Sequence, residues 1–385
     1  MISPDKRRAA RIRGALLRWY ADNRRDLPWR GERDPYRIWV SEVMLQQTRV
    51  ETVVPYYERW VRRFPTVAAL ADAPGEDVLA EWAGLGYYRR ARALHQGARV
   101  VRDRHGGNVP SEPAELRALP GVGAYTAGAV ASIAFGRAAP AVDVNATRVL
   151  ARLFDAAAPA PAALERIAAA LIPDERPGEF NVALMELGAT VCGIRAPACG
   201  QCPLARWCLA RSRGTAAERP APRPRPRVRT YRVGTAVIAR SDGRLLVARR
   251  PEAGLLGGMW ELPGAVAGTR ESAAAAARRV ARALLGTRAR LPRSPREIAR
   301  VDHAYSHRRH AYRAFGFPAP GLAAAGNGSG PLPAAPASAI PGSAEWTELA
   351  WRDLADLAAL PMGSAQRALA RAMEGDARPG GRRRA

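Results

Sequence analysis

Over the first 210 residues, apolar positions recur at spacings of three and four, in short runs broken by Pro or Gly. The breaks fall at Leu27-Pro28-Trp29, Phe64-Pro65-Thr66, Ala73-Pro74-Gly75, Gly106-Gly107-Asn108 and Leu119-Pro120-Gly121. Thr66 stands where it would cap Val67–Ala71. Ser111 precedes a first turn bearing Pro113 and Glu115. This pattern predicts a mainly helical domain over residues 1–210. Within it, Ile38–Thr48 is dense in apolar residues and free of Gly and Pro, so it reads as one helix. Glu42 sits oddly in that helix, because Ile38, Trp39 and Leu45 share its face at helical spacing, with Gln46 beside them. A carboxylate on an apolar face has its pKa raised by desolvation, which is how a general acid stays protonated near neutral pH. Taken alone, the stretch better suits a Glu at a core rim paired with an Arg.

Past residue 210 the pattern changes twice. Residues 211–229 hold an Arg-Pro alternation that keeps the chain extended, which predicts an interdomain linker. After Thr230 the period shortens. Arg232–Ala239 and Arg244–Arg249 flank Ser241-Asp242-Gly243, a hairpin signal. A helix is expected at Ser272–Leu285, a strand at Ala311–Phe317, another at Trp346–Leu349 and a closing helix at Ser364–Met373. Residues 318–344 are Pro, Ala, Gly and Ser with almost no charge, and read as a disordered insertion. The C-terminal domain is thus expected over 230–375, with a frayed tail over 376–385.

Charge adds a partner. Lys and Arg exceed Asp and Glu by 25 in 385 residues, which suits a polyanion such as nucleic acid. The chain is also rich in Ala and Pro, so a coding bias toward Arg is the plainer source of part of that excess. No apolar run reaches the ~18 residues of a membrane span. Met1–Arg8 lacks the apolar core of a signal peptide, so the expectation is an intracellular, cytoplasmic protein near the nucleoid. Four Cys in such a compartment call for something other than disulfides.

Three motifs carry chemistry. Cys192, Cys199, Cys202 and Cys208 form a C-x6-C-x2-C-x5-C array whose four thiolates suit one metal centre. Only one pair has the C-x2-C spacing usual for zinc, which favours a four-iron cluster. Arg195, Arg206, Arg211 and Arg213 around it suggest a loop facing phosphate. Leu116–Ala127 reads as a helix, a tight Pro120-Gly121-Val122-Gly123 hairpin and a second helix running to about Phe135. Such a turn brings backbone N–H groups close to a phosphate without reading bases. Asp143 and Asn145 precede a helix at Thr147–Phe154. Helix capping explains them, and a capping Asp can still present its carboxylate to a cleft.

These pieces stand in one order: Leu27-Pro28-Trp29-Arg30, Trp39–Thr48, Gly84-Leu85-Gly86-Tyr87-Tyr88-Arg89-Arg90-Ala91-Arg92, Leu119–Thr126, Asp143-x-Asn145 and the four Cys. Together they resemble the A/G-specific adenine DNA glycosylases, the MutY family of the helix-hairpin-helix superfamily. The resemblance implies a mainly α helix-hairpin-helix glycosylase domain with an Fe–S loop, followed by an α+β Nudix-like domain. It implies a monomeric, monofunctional enzyme of base excision repair, acting on double-stranded DNA with adenine opposite 8-oxoguanine or guanine, and a [4Fe-4S] cluster on the four Cys. Glu42 would protonate the departing adenine at N7. Asp143 would stabilise the oxocarbenium-like sugar or form a covalent adduct, with Tyr125 and Asn145 holding the pair. The two carboxylates should differ, Glu42 high and Asp143 low. Leu27, Trp29, Arg30, Leu45 and Glu186 would form the adenine pocket. Gln47 and Tyr87 would wedge into the duplex beside Thr48 and Leu85, and Gly121, Val122 and Gly123 would grip the backbone. Bifunctional relatives such as endonuclease III carry a Lys just after the hairpin, where this chain has Ala124-Tyr125. One departure is Val144, where the family usually has Gly; a positive φ there would strain Val.

Residues 230–375 resemble a Nudix domain around Trp260-Glu261-Leu262-Pro263-Gly264. A pyrophosphohydrolase needs a Glu-rich Mg²⁺ site on the following helix. Aligned on Glu271 and Arg279, the remaining positions are Val280, Ala283 and Leu284, so hydrolysis is not expected. The domain resembles instead the family's lesion-recognition domain, with Tyr305-Ser306-His307 for its Phe-Ser-His loop. The alternatives are an endonuclease III-like or mismatch thymine glycosylase, a catalytically silent Fe–S DNA-binding protein, and a Nudix hydrolase.

Overall fold

The computed structural model describes residues 5–222, 228–252, 254, 256–305, 308–319 and 346–377, with side chains to 374. The helices are α1 (Lys6–Asn23), α2 (Pro35–Leu45), α3 (Val50–Arg63), α4 (Val67–Asp72), α5 (Gly75–Trp82), α6 (Arg89–Arg104), α7 (Pro113–Ala118), α8 (Ala124–Phe135), α9 (Val144–Leu153), α10 (Pro161–Leu171), α11 (Pro177–Thr190), α12 (Leu209–Ser212), α13 (Ala273–Leu285) and α14 (Ser364–Ala377). The strands are β1 (Arg229–Arg240), β2 (Leu245–Arg249), β3 (Trp260–Glu261), β4 (Gly264–Val266), β5 (Glu297–Ala304), β6 (Arg308–Ala319) and β7 (Glu348–Arg352). The chain divides into two compact units: Met1–Ala73 with Arg92–Pro224, and Pro74–Ala91 with Arg225–Ala385.

The first unit is helical. Ala9, Ile12, Leu16 and Tyr20 make one stripe of α1, which packs with Val149 and Leu153 of α9, Leu164 and Leu171 of α10, and Phe180 and Leu187 of α11. Arg13 donates to the carbonyls of Ala170, Leu171 and Ile172, so a cation satisfies the orphan end of α10. Two helices are buried on nearly every face. In α2, Tyr36 through Met44 are buried apart from half-exposed Arg37, and in α8 Thr126 through Ser132 are buried. Asp34 caps α2 by accepting from the Tyr36 N–H, with Pro35 preset in the first turn. Gly128 lets α8 pass the Pro140 carbonyl, where a Cβ would sit 2.0 Å from the oxygen.

The second unit carries a sheet ordered β3-β2-β1-β6-β5, with β4 on β1 and β7 on β2. β1 and β6 run parallel from Arg229↔Arg308 to Arg240↔Ala319. The pairings of β1 with β2 and β4, of β2 with β3 and β7, and of β5 with β6 are antiparallel. α13 covers one face, burying Ala277, Val280, Ala281 and Leu284 with Phe315 and Phe317. α14 covers the other, with Leu369 and Met373 beside Trp260, Leu262 and Tyr312. Ser272 caps α13 by accepting from the Ala275 N–H.

Several boundaries differ from the sequence reading. α2 stops at Leu45, because Gln46 leaves helical conformation and Gln47 takes φ +57°; Gln47 and Thr48 therefore lie in a turn. Part of the expected linker is folded: α12 ends at Ser212, Ala216–Glu218 form a 3₁₀ turn, and β1 begins at Arg229. Asp155 accepts from Arg213, Thr215 and Arg219, which ties that stretch down; residues 223–227 lie outside the described residues. Pro318 and Ala319 belong to β6 through pairing with β1, and the rest of the expected insertion lies outside the described residues. The last strand is Glu348–Arg352, because its partners are Arg249 back to Leu245. α14 continues through Ala377, into the expected tail. Residues 74–91, expected with the first domain, group with the C-terminal unit.

Candidate active site

Burial of α2 carries Glu42 inside, where it is 6% exposed. The Tyr125 hydroxyl, from the first turn of α8, donates to Glu42 Oε2 and lies 3.4 Å from Met185 Sδ of α11. Burial pushes the Glu42 carboxyl above its ordinary range; Tyr125 and Arg30 oppose the shift and Asp143 adds to it. The Tyr125 phenol is held well above its ordinary value, first by burial and then by Glu42 and Asp143, so it stays a donor. Glu42, Trp29 and Arg30 line one cavity of about 520 Å³ together with Ile38, Ser41 and Ser132.

Asp143 is the N-cap of α9. Its Oδ1 accepts from the Ala146 N–H at 2.6 Å, and its Oδ2 from Asn145 Nδ2 at 2.8 Å. Capping and site presentation coexist there. Burial raises its pKa despite the opposing bonds from Ala146 and Asn145, which corrects the expectation of a low value. The cause is desolvation: the carboxyl sits in the same low-dielectric region that raises Glu42. Behind it, Arg148 donates to Asn145 Oδ1 at 3.0 Å, to the Gly188 carbonyl at 2.6 Å and to the Cys192 carbonyl at 2.8 Å. Gly188 is required by that packing, since a Cβ would lie 2.6 Å from Asn145 Cβ. Val144 opens α9, is 77% exposed and has no positive φ, so its replacement of Gly brings no backbone strain.

Glu186 is locked in place. Arg25 Nε and Arg30 Nη2 each lie 2.5 Å from its carboxylate oxygens. Burial alone would raise it, but the two guanidinium groups outweigh that and hold it below its ordinary value. Trp29 is buried, edge-on to Tyr57 at 5.3 Å. Leu27 and Leu45 are half-buried, and they, Glu186, Tyr125 and Asp143 do not line the cavity shared by Trp29, Arg30 and Glu42. Sequence reasoning missed Arg25, Arg148 and Met185. Each lies within three residues of a named site residue: Arg25 before Leu27, Arg148 after Asn145 and Met185 beside Glu186.

Among the backbone contacts, Gly121 takes φ +76° between α7 and α8, where a Cβ would meet Ala93 Cβ at 2.4 Å. Val122 is buried and Gly123 exposed, as a helix-hairpin-helix turn requires. Gln47 is exposed and Thr48 half-buried; in the second unit Leu85 is buried and Tyr87 is 43% exposed at φ +49°. The Arg90 guanidinium lies 5.2 Å from the Tyr87 ring and props it. Tyr305 closes the β5–β6 hairpin, its N–H donating to the Arg308 carbonyl, and its hydroxyl lies 2.8 Å from that of Tyr312. Ser306 and His307 lie outside the described residues. In α13, Val280 and Leu284 are buried in the core and Glu271 pairs with Arg279 at 3.0 Å, so that helix presents no carboxylate row.

Cys192, Cys199, Cys202 and Cys208 line one small cavity with Arg152 and Arg211. Burial pushes the Cys202 thiol up to about 11 and raises Cys208 as well. Among the described residues no three His, Cys, Asp or Glu are grouped as for a single metal ion. No helix is long and apolar enough to cross a membrane among the described residues.

Comparison with known proteins identifies relatives of both units. The family of HhH-GPD superfamily base excision DNA repair proteins matches residues 40–174, and the NUDIX domain family matches 234–372. An adenine DNA glycosylase of Mycolicibacterium smegmatis is 48% identical over 203 residues, covering 52% of this chain and 69% of that protein. One from Arabidopsis thaliana is 40% identical over 300 residues, and one from Homo sapiens 49% over 216. The match covers 66% and 52% of this chain respectively, and spans 48% of the plant protein and 40% of the human one. Among solved structures, a thermostable thymine-DNA glycosylase aligns with TM-score 0.50 at 31% identity, covering 53% of this chain and 97% of its own.

Proposed function

Because the chain belongs to the adenine DNA glycosylase family, we propose that it removes adenine mispaired with 8-oxoguanine or guanine in duplex DNA, without cutting the strand. The observation that carries this is the buried Glu42–Tyr125 pair beside a second raised carboxyl, Asp143. Adenine leaves poorly as an anion and well once protonated at N7. Protonated Glu42 supplies that proton, and the Tyr125 hydroxyl then stabilises the carboxylate left behind. Cleavage of the N-glycosidic bond leaves positive charge on the sugar. Asp143, ionised and aimed by Asn145 and the first turn of α9, offsets it until a water adds to the anomeric carbon, loses a proton and completes the hydrolysis. Glu186, assigned to the adenine pocket, acts there through Arg30, which it fixes at the wall of the cavity that Glu42 also lines. Tyr125 puts a phenol where a Schiff-base amine would be needed for strand cleavage.

The exposed glycines Gly121 and Gly123 support contact with the DNA backbone, and exposed Gln47 with its neighbour Thr48 is assigned to the gap left by the flipped base. Ser306, between Tyr305 and His307, is assigned to the base opposite. The four cysteines would hold a [4Fe-4S] cluster. The fit rests on the chemistry of the donor set: four thiols ringing one cavity, and no carboxylate or imidazole among its lining residues. When bound, the cluster folds the loop and supplies a redox-capable, negatively charged centre. The rest of the unit positions that loop through Arg148 and Arg152.

The test is incubation with a duplex carrying one adenine opposite 8-oxoguanine, followed by chromatography of the released base. Free adenine is expected, with a strand break only after alkali. Thymine release from a T:G duplex in place of adenine would favour the mismatch-thymine alternative, and a break without alkali would favour the endonuclease III-like one.

A further inference from the structure

We infer that Arg152 is the built-in counter-cation of the four-thiolate centre, holding its charge as well as its loop. This rests on the cluster assignment above. Arg152 lies in the last turn of α9 and is 2% exposed, so its charge is removed from water. Such a charge is costly unless an anion balances it. Yet every hydrogen bond it makes among the described residues goes to a neutral carbonyl or to sulfur. Nε donates to the Arg219 carbonyl at 3.0 Å. Nη1 donates to the carbonyls of Cys192 at 3.2 Å and Gly193 at 2.6 Å, and reaches Cys192 Sγ at 3.1 Å. Nη2 donates to the Ile194 carbonyl at 3.0 Å. No carboxylate joins this set. Asp155, three residues on in the chain, accepts instead from Arg213, Thr215 and Arg219.

Arg152 also lines the cavity that holds the four cysteines. Its backbone joins in, because the Cys208 thiol lies 3.3 Å from the Arg152 carbonyl. Arg152 therefore touches the first and last cysteines of the array, which are 16 residues apart in the chain. Four thiolates around one centre supply the missing anion. A cation against a thiolate sulfur also stabilises the more negative, reduced state, so it raises the reduction potential of whatever the thiolates hold. Groups that hydrogen-bond to a metal's ligands in this way are worth roughly 10–100-fold in metal affinity. Arg148 does a different job: its Nε meets the Cys192 carbonyl rather than the sulfur, and its Nη2 donates to Asn145 Oδ1 and the Gly188 carbonyl.

The experiment uses full-length protein purified with its cluster, as wild type, Arg152→Gln and Arg152→Lys. Three quantities are read: iron and acid-labile sulfide per chain, the rate of iron loss to a chelator, and the reduction potential by protein-film voltammetry. Gln keeps polar contacts but removes the charge. It should shift the potential to more negative values and speed iron loss by about tenfold or more. Lys keeps the charge and should hold the potential near wild type, with iron loss between the other two. A Gln variant with wild-type potential and iron retention overturns the inference, and so does a Lys variant that shifts as far as Gln. If Arg152→Gln does not fold, the Lys variant decides by itself: an unchanged potential supports the counter-cation role and a shifted one overturns it. Wild type without iron and sulfide would remove the cluster reading, and the inference with it; iron-loaded wild type with an indifferent Gln variant sinks the inference alone.

Discussion

Replacing Glu42 with Gln should silence base excision and, at neutral to alkaline pH, make the protein more stable. The side chain is 6% exposed, and the Tyr125 hydroxyl is its hydrogen-bond donor. An ionised carboxylate accepts several hydrogen bonds, so one donor leaves most of its oxygen lone pairs buried without a partner. The cost of such unmet polar groups is about 1–3 kcal/mol. Gln fills the same volume, still accepts from Tyr125, and carries no charge to bury. The sign follows from the proton equilibrium. Burial lifts the folded Glu42 above its ordinary value of 4.5, so the folded chain binds this proton more tightly than the unfolded chain. Its stabilising contribution is fully present below pH 4.5 and is lost as pH rises through the folded value. Glu42→Gln should therefore match wild type near pH 4 and exceed it by about 1–3 kcal/mol at pH 8, a rise of several degrees for a unit of this size. The same substitution removes the proton donor, which costs about 10²–10⁴-fold in single-turnover rate, or about 3–5 kcal/mol of barrier. Thermal unfolding by circular dichroism at both pH values, with excision rates on the same preparations, checks both halves. A variant that is less stable at pH 8, or whose stability difference ignores pH, would refute the burial argument. A variant with undiminished rate would refute the acid.

Other consequences are simpler to state. The single-turnover rate should trace a bell against pH: it falls with rising pH as Glu42 loses its proton, and falls with decreasing pH as Asp143 gains one; a flat profile contradicts the pairing. Since both carboxyls are raised, the bell should sit above that of two ordinary carboxylic acids. Asn145→Ala removes the amide that holds Asp143 Oδ2 and the link to Arg148, and should slow excision at least ~10-fold while circular dichroism stays native; an unchanged rate would mean that the α9 cap alone aims the carboxylate. Gly188→Val would drive a side chain into Asn145 and should destabilise the fold by about 1–3 kcal/mol, the cost of overpacking, read as a lower unfolding midpoint; a wild-type midpoint would show that α9 and α11 yield. Ser306→Ala should reduce the preference for 8-oxoguanine over guanine opposite adenine more than it reduces the rate on A:G; an unchanged ratio removes Ser306 from recognition.

Legibility from sequence follows the local character of each feature. The cap at Thr66 is readable because capping needs only a side chain and the next turn, whereas Ser111 does not cap: α7 starts after Glu112, with no side-chain cap bond. The hairpin turn at Gly121 is readable because positive φ selects Gly. Glu42 stands out by its apolar face, but that face alone fits an ordinary ion pair; its separation from that reading comes from Tyr125, 83 residues away. The charge state of Asp143 is not legible, since hydrogen bonds to a cap are visible in sequence whereas burial in the folded unit is not. The end of α2 reads too late because nothing in Gln46-Gln47-Thr48 forbids a helix; the turn at Gln47 comes from tertiary context. Arg25, Arg148 and Arg152 escape for a similar reason: in a chain with 60 Lys and Arg, the few that are structurally committed look like the rest.

The most direct test of the two-carboxylate account is a double-mutant cycle on adenine release. Wild type, Glu42→Gln, Asp143→Asn and the double variant are compared under single-turnover conditions on one duplex with adenine opposite 8-oxoguanine. If both groups serve one bond cleavage, each single variant loses about 10²-fold or more and the double is little worse than the poorer single. Single variants that keep the wild-type rate, or losses that simply multiply in the double, would contradict it.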